Sequence, residues 1–420
     1  MTNQTKHLEA INTIKRKLQG KRLTYREIYN LMDEIAHDRL NNVVTTYFIA
    51  AGFQDGFTEE ELFYLTKAMV ETGTQLHFKG IVADKHSIGG LPGTRATMIL
   101  VPIVAAAGFI IPKTSSRAIT TPAGTADVME LFAPVNLTPE QIKKTVEEVG
   151  GCIAWGGHLG IAPADEIIIN IEKEISFQFF DKIVMSIMAK KIAVGANHLT
   201  IDIPVGKTMK VQTKKQAEMI AEKFVHVGKR FDMKINVAIN HTFEPAGRGI
   251  GVFQEALDVL RVLKQTDDRP IELEKRSLSL AEALLDLCFK SSHQTKKSNE
   301  VAKELLVSGK ALQKFQEIVT AQGGRNIDRF MSFKPKAYKR TISARHGGVI
   351  TEVNNLNVSA IAHILGAPKK RFAGMYLHKK RNEKVEKGEA LLDIYAPNKY
   401  DLDEAEETMN MFPIFHIEKK

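Results

Sequence analysis

Two short segments of the sequence concentrate residue types that bind anions. The first, Lys85 to Gly90, combines an ammonium group, an imidazole, a hydroxyl and two adjacent glycines. It lies between a short β-branched run and an apolar helical stretch. Backbone N–H groups at the start of the helix, together with the Lys85 charge, could therefore hold a phosphate. A tight strand-to-helix turn with an exposed lysine would leave the same pattern, so both interpretations stay open.

The second segment, Ser115 to Asp127, carries five hydroxyl side chains, one arginine and one glycine. It follows an apolar run that ends at Ile111, where a strand of an α/β sheet would end. Ligands bind at the carboxyl ends of strands in such sheets, although a polar surface loop capped by Asp127 is the alternative. Two such segments after consecutive strands favour a shared site, and we expect them to converge on one anion-binding pocket.

The elements that position these segments are indicated by hydrophobic periodicity. Apolar residues recur at helical spacing up to about residue 75, and Thr24 and Thr58 are placed to begin two of the helices. Beyond that point short β-branched runs alternate with helical stretches, which favours a parallel sheet covered by helices. The predicted fold class is α/β with a helical domain, a mixed or parallel-sheet α/β domain and a C-terminal α+β domain.

The same patterns predict where the elements and domains lie. We expect strands near 81–82, 109–111, 199–203 and 235–239, and helices near 94–107, 138–149, 179–194, 214–229 and 251–265. The expected domains are a helical domain of 1–75 plus 170–195, an α/β phosphate-binding domain of 76–169 plus 196–335, and a C-terminal domain of 336–420.

The amino-acid composition limits the classes of protein to which this chain can belong. The 420 residues are 44% hydrophobic and 25% charged, which excludes a disordered chain. The net charge of +9 favours anionic partners in general. Two cysteines fit a reducing, cytoplasmic setting, and we expect no signal peptide and no membrane span.

Both anion-binding segments resemble the thymidine and pyrimidine-nucleoside phosphorylase family, and in detail its AMP phosphorylase branch. The match covers Lys85 to Gly90 and Ser115 to Glu130, where Pro122 is typical of the AMP branch. Three further motifs fit: Ser186 to Lys191, Asp202 to Gly206 and Gly247 to Gly251. The likeness extends from about residue 8 to residue 400. Long members of the AMP branch carry an extra N-terminal domain, which we do not expect here.

The resemblance implies an enzyme with a fold like that of the type II nucleoside phosphorylases. Such a pentosyltransferase moves the sugar of a nucleoside or nucleoside 5′-monophosphate onto inorganic phosphate, releasing free base and a sugar 1-phosphate. Phosphate is then a co-substrate, and neither a cofactor nor a metal is implied. We also expect a homodimer formed through the helical domain.

The resemblance also assigns roles to individual residues. The residues implied to bind phosphate are Lys85, Ser87, Thr97, Ser115 and Thr125. Those implied to bind the rest of the substrate are Gly90, Ser116, Arg117, Ala118, Ile119, Thr120, Thr121, Ser186, Lys190 and Lys210. For Ser186 and Lys190, which are spaced i, i+4 on one helix face, the alternative is a serine bonded to its own helix and a solvated lysine.

Two departures from the family pattern concern the base. Ile171 replaces the base-binding arginine of the pyrimidine enzymes, which argues against thymidine and uridine as substrates. Gln178 stands where the AMP branch has an aspartate that donates a proton, and glutamine cannot supply one. Asp181 and His86 are the other candidate acids, although Asp181 could equally be a carboxylate that opposes the helix dipole.

The missing acid leaves a second functional hypothesis open. The chain could be a divergent family member that binds a ligand without turnover or performs other glycosyl transfer. Nucleic-acid binding is suggested only by basic runs such as 379–381. No aromatic-interleaved basic motif accompanies them, so we expect no nucleic-acid partner.

Overall fold

A computed structural model describes residues 3–157, 159–175, 179–333 and 335–419. Gln178, one of the expected catalytic residues, lies outside these ranges. The helices are α1 (Asn3–Leu18), α2 (Tyr25–Ala36), α3 (Asn42–Asp55), α4 (Glu59–Glu71), α5 (Ala96–Ala106), α6 (Thr125–Met129), α7 (Pro139–Val149), α8 (Pro163–Ile175), α9 (Phe180–Ala193), α10 (Lys214–Arg230), α11 (Val252–Leu263), α12 (Ile271–Ser291), α13 (Ser298–Val307), α14 (Lys310–Ala321), α15 (Asn355–Ile364) and α16 (Lys399–Met411).

The strands are β1 (Ala83–Ser87), β2 (Ile111–Ser115), β3 (Gly151–Trp155), β4 (His198–Val205), β5 (Lys234–His241), β6 (Gly249–Ile250), β7 (Tyr338–Ser343), β8 (Gly348–Val353), β9 (Gly374–Leu377), β10 (Lys384–Val385), β11 (Ala390–Ala396) and β12 (Phe415–Glu418). None of the helices within the described ranges combines the length and the apolar character needed to cross a bilayer.

Parallel strands form the centre of the α/β part. Strands β1, β4 and β5 form one parallel sheet in the order β1-β4-β5, and β2 pairs with β3 in parallel. A bridge between Val82 and Ile110 joins the two groups. The carboxyl ends of β1, β2 and β4 therefore meet at one edge, which is where an open α/β sheet binds its ligand.

Strands β1 and β2 lie later in the chain than predicted. The sequence indicated 81–82 and 109–111, whereas the strands cover Ala83–Ser87 and Ile111–Ser115. The charged Asp84 and Lys85 are buried within β1 because oppositely charged side chains from other elements pair with them. The other predicted helices and strands of this part agree with the structure to within two residues.

The helical part and the C-terminal part each attach to the sheet through specific contacts. Helix α9 packs against α4 and α10, so one apolar cluster includes the four N-terminal helices and part of the sheet. A second cluster surrounds α5, which has α12 and α14 packed against it. The C-terminal cluster is joined to the α/β part where β6 pairs with β9. These clusters are consistent with three units, and the expected domain boundaries stay a prediction.

Candidate active site

The carboxyl ends of β1 and β2 open into a single cavity of about 750 Å³. Lys85 and Ser87 line it from β1, and Ser115 lines it from β2. Thr97 on α5 and Thr125 at the start of α6 complete the lining at this end. The structure therefore brings together all five residues that the resemblance assigns to phosphate, and their role stays a prediction.

The segment after β2 is held in place by Asp127. Its carboxylate accepts hydrogen bonds from the backbone N–H groups of Ala118, at 2.7 Å, and Gly124, at 2.9 Å. A Cβ on Gly124 would lie 2.4 Å from the carbonyl carbon of Arg117, so only glycine fits there. The predicted substrate-binding residues of this segment that line the cavity are Ser116, Arg117, Ile119, Thr120 and Thr121; Ala118 does not line it.

The guanidinium of Arg117 stabilises the same segment. It donates to Glu130 at 2.7 Å and to Asp127 at 3.1 Å, and it stacks over the Trp155 ring at 4.8 Å. The hydrogen bonds to Glu130, and next those to Asp127, raise the pKa of Arg117 despite partial burial. The side chain is thus already engaged by carboxylates of the protein.

Asp202 on β4 is a buried carboxylate at the end of the cavity that Lys85, Ser87 and Ser115 line. We call this end the phosphate end, after the ligand predicted for it. It accepts hydrogen bonds from Ser87 at 2.9 Å, from Asn240 at 2.9 Å and from Arg276 at 2.9 and 3.1 Å. The Lys85 ammonium is farther away, 3.8 Å from Asp202. Because Arg276 already balances the Asp202 charge, Lys85 retains capacity for an added anion.

Burial controls protonation at the phosphate end. Burial, opposed by the attraction of Asp202, lowers the pKa of Lys85 to about 8, so the ammonium form predominates at neutral pH. Burial, followed by the charges of Lys191 and Lys113, lowers the pKa of His86 well below its ordinary value. His86 lines the cavity but is neutral, which argues against its predicted role as an acid.

A second cluster of charges lies where α8 and α9 face the cavity. Asp165, which is fully buried, accepts a hydrogen bond from Ser186 at 2.7 Å and pairs with Lys190 at 2.6 Å. Lys182 pairs with Glu172 and lies 3.8 Å from Asp165. Burial raises the pKa of Asp165, but Lys190 and Lys182 outweigh it and hold that pKa below its ordinary value. The predicted pair Ser186 and Lys190 thus lines the cavity with its orientation set by a buried carboxylate.

Lys210 connects the two ends of the cavity. An ideal Cβ on Gly90 would lie 3.4 Å from Lys210 Cγ, so this side chain passes directly over the glycine turn. Burial, followed by the charge of Lys182, lowers the pKa of Lys210. No carboxylate among the described residues lies within ion-pair distance of it. Gly90 and Lys210, which were both predicted to bind the substrate, line the cavity. Lys210 has positive charge available for a ligand.

Asp181 is placed outside the cavity, in contrast to its predicted role as an acid. Its carboxylate accepts the Phe57 N–H at 2.9 Å and also pairs with Lys223 on α10. Both oxygens are therefore engaged in holding α9 against neighbouring elements. Ile171 is likewise buried and does not line the cavity.

Several charged residues of the cavity were missed by the sequence analysis. They are Arg95, Lys113, Glu172, Lys182 and Arg276. A charge within an otherwise apolar strand, as at Lys113, is a signal that could have identified one of them, because such charges are rarely buried without a partner. Arg95 lies directly before α5, and the remaining three lie on helices whose cavity-facing side depends on tertiary packing.

Comparison with protein families identifies three matching regions. Residues 79–312 match the glycosyl transferase family a/b domain, and residues 11–73 match its helical bundle domain. Residues 349–411 match the pyrimidine nucleoside phosphorylase C-terminal domain. These three regions follow the order of the three parts of the fold.

Relatives and a solved structure agree with this result. An AMP phosphorylase of Archaeoglobus fulgidus is 40% identical over 405 residues, covering 96% of this chain and 79% of that protein. A Legionella pneumophila (strain Corby) protein named "Putative thymidine phosphorylase" is 40% identical over 401 residues, covering 95% of this chain and 76% of that protein. Anthranilate phosphoribosyltransferase from Thermus thermophilus shares the fold, with a TM-score of 0.62 at 18% identity over 74% of this chain and 99% of that chain. The chain therefore belongs to the glycosyl transferase family with helical bundle and a/b domains, and within it to the thymidine and AMP phosphorylases.

Proposed function

We propose that the chain catalyses phosphorolysis of a nucleoside 5′-monophosphate or nucleoside, releasing the free base and a sugar 1-phosphate. The observation that carries the proposal is the convergence of segments 85–90 and 115–125 on one cavity. Among the described residues, eight lysine and arginine side chains line that cavity, against two carboxylates. Such an excess of positive charge suits a ligand with more than one phosphate group.

In this proposal the two ends of the cavity have different parts in the reaction. At the sheet edge, Lys85, Ser115 and Thr125 would hold inorganic phosphate in line with the sugar carbon. Holding the reactants in this way removes most of the entropic cost of bringing them together. At the other end, Ser186, whose hydroxyl donates to Asp165, would accept a hydrogen bond from the base, and Lys190 would stabilise the negative charge that develops as the base leaves. Inorganic phosphate is the proposed co-substrate.

The position of Lys210 supports a nucleotide as substrate. It lies over Gly90, and Glu172 attracts it, but no described carboxylate lies within ion-pair distance of it. A 5′-phosphate on the sugar would supply the missing negative charge. We therefore propose AMP or a similar nucleotide ahead of the free nucleoside.

Glu172 is the proposed source of the proton for the leaving base. It lines the cavity, and its Oε1 has no hydrogen-bond partner among the described residues. Burial raises its pKa, although Lys182 opposes the shift, so the carboxyl group is easier to protonate than an exposed glutamate. As the bond from the sugar to the base breaks, a proton from Glu172 would neutralise the base, and solvent would return it.

Replacing Glu172 with glutamine tests this assignment. We expect Glu172→Gln to lower kcat for AMP about 10²-fold, because general acid catalysis is lost while the size of the side chain is kept. A 7-methylguanine nucleotide needs no proton because its base is already cationic, so the variant and the unaltered enzyme should cleave it at similar rates. An equal loss with both substrates would show that Glu172 only supports the site.

The proposed function itself is tested by release of base. The protein is incubated with AMP, adenosine, uridine 5′-monophosphate or thymidine, with and without inorganic phosphate, and free base is measured by chromatography. We expect release that requires phosphate and is fastest with AMP. No base from any substrate would refute the proposal, and release without phosphate would indicate a hydrolase.

We also propose that the protein is a homodimer, formed through the helical part, and acts in the cytoplasm. Leu8, Val43, Tyr47 and Phe53 are exposed apolar residues of α1 and α3, which supports an interface there. Both cysteines are buried and unpaired, in keeping with a reducing compartment.

A further inference from the structure

The C-terminal part contacts the α/β part through a buried side chain at the start of α15. Asn354 caps this helix, and its side chain accepts backbone N–H groups at 3.0 and 3.1 Å. The next residue, Asn355, is therefore not needed as the cap. Its Nδ2 donates to Thr208 Oγ1 at 3.1 Å and to the Phe243 carbonyl oxygen at 3.4 Å. A side chain of the C-terminal part thus bonds two segments of the α/β part.

Thr208 lies in the tight turn of residues 206–211, which also carries Lys210. Two backbone hydrogen bonds, of 3.1 and 3.0 Å, close this turn on itself. Met209, between Thr208 and Lys210, is buried. In the part of the chain that the structure describes, Asn355 is the only residue outside the turn whose side chain hydrogen-bonds to it. The position of Lys210 in the cavity therefore depends on how Asn355 holds the turn.

Asn355 can hold this turn because the C-terminal part is itself firmly attached. Arg248 donates to two carbonyl oxygens of the C-terminal part, at 2.7 and 3.1 Å. In the opposite direction, the buried Lys380 of the C-terminal part donates to the Gly247 carbonyl oxygen at 3.1 Å. Together with the pairing of β6 and β9, these contacts fix the place from which Asn355 acts.

Stability alone does not favour asparagine at position 355. Only 1% of the residue is exposed, and its Oδ1 has no hydrogen-bond partner among the described residues. A buried polar atom without a partner destabilises a protein. Leucine has a similar size and no such atom. What asparagine adds at this position is the hydrogen bond to the turn.

We propose that Asn355 is a positioning residue that holds Lys210 where the 5′-phosphate of the nucleotide binds. The inference rests on the proposed function, because it takes a nucleotide as the ligand of Lys210. The hydrogen bond orders the turn before the substrate arrives, so binding does not have to order it. Without that bond the turn samples other positions, and the ammonium group lies near the 5′-phosphate for only part of the time. The C-terminal part thereby contributes to the preference for a nucleotide over a nucleoside.

Two substitutions remove this hydrogen bond from opposite sides. We expect Asn355→Leu and Thr208→Val each to raise KM for AMP about fivefold with little change in kcat, since a binding contact is weakened. Adenosine has no 5′-phosphate, so its kcat/KM should not change. Sulfate, which stands in for inorganic phosphate at the phosphate end, should bind as before. The melting temperature of Asn355→Leu should equal or exceed that of the unaltered protein.

Two further variants separate positioning from general support of the fold. Thr208→Ser keeps the hydroxyl group and should retain the KM of the unaltered protein for AMP. Asn357→Leu is the matched control on the same helix. It removes a hydrogen bond of the same kind, in which Asn357 Nδ2 donates to the Pro413 carbonyl oxygen at 2.8 Å within the C-terminal part. We expect no change in KM for AMP from this control.

A double-mutant cycle with Lys210→Met tests whether Asn355 acts through Lys210. Lys210→Met should itself raise KM for AMP, and adding Asn355→Leu should raise it no further. An unchanged KM for AMP in Asn355→Leu, an equal loss with adenosine, or the same fold-increase with and without Lys210 would overturn the inference. If the unaltered protein neither binds nor cleaves AMP, the proposed function fails, and this inference fails with it.

Discussion

Replacing Lys85 with methionine should lower kcat/KM for phosphate about 10³-fold. The buried Lys85 ammonium donates to the Thr97 hydroxyl, 3.5 Å away, and it lines the same cavity as Ser115. Removing it leaves Asp202 facing the phosphate position with less positive charge to offset it. Loss of a single preorganised donor that stabilises developing charge costs about 10²–10³-fold in kcat in other enzymes, and Lys85 also carries a full charge. Steady-state rates at varied phosphate concentration measure the effect.

Two comparisons sharpen this prediction. Lys85→Arg should recover little activity, because a planar guanidinium does not fit a site shaped for a compact ammonium group. Lys79→Met should leave kcat/KM unchanged, since Lys79 is exposed. A Lys85→Met enzyme with a normal KM for phosphate would show that the anion binds elsewhere.

Replacing Asp165 with alanine should strongly destabilise the protein and impair nucleotide binding. The Asp165 carboxylate balances Lys190 and Lys182 in the buried contact between α8 and α9. Removing one partner of a buried ion pair leaves uncompensated charge and costs about 3–5 kcal/mol. The free energy of unfolding and the melting temperature report the stability loss, and KM for the nucleotide should rise because Ser186 loses its acceptor.

The control for this change is Asp286→Ala. Asp286 pairs with Lys290 on the exposed face of α12, where an ion pair contributes at most about 1 kcal/mol. Asp165→Asn should have an intermediate effect, since it keeps a hydrogen-bond acceptor without the charge. If the melting temperature and KM are unchanged in Asp165→Ala, then Asp165 neither stabilises the protein nor orients Ser186 and Lys190.

Together, Lys85→Met and Asp165→Ala test which end of the cavity binds the anion and which binds the nucleotide. Lys85→Met should abolish sulfate binding and leave nucleotide binding largely intact. Asp165→Ala should weaken nucleotide binding and leave sulfate binding largely intact, provided that the measurement is made below the melting temperature. The opposite pattern would reverse the proposed orientation of the substrate.

The sequence was sufficient to predict the classes of element and the convergence of the two segments. Periodicity located β4, β5 and the helices α5, α7, α9, α10 and α11, because their apolar residues follow the spacing of strand or helix, whereas β3, α8 and α12 to α14 were not predicted. The two anion-binding segments were found because Lys, Ser and Gly cluster within a few residues, and the family resemblance then assigned the individual phosphate-binding candidates. These features are local in the chain, and so a sequence can show them.

The parts that could not be predicted depend on contacts between distant segments. Strand β1 was placed too early because Asp84 and Lys85 look unsuitable for a buried strand until Lys191 and Asp202 are known to pair with them. Asp181 was a plausible acid by its position, but its pairing with Lys223 on another helix removes it from the cavity. Glu172 was missed because the side of α8 that faces the cavity depends on tertiary packing, and Lys113 was missed although its charge beside an apolar run was a local signal.

A crystal structure of the protein with inorganic phosphate tests the central claim most directly. We expect one phosphate bound between Lys85 and Ser87 of β1 and Ser115 and Thr125 of the following segment, with Lys113 beneath it. Phosphate bound at another place, with this end of the cavity empty at saturating phosphate, would contradict the account.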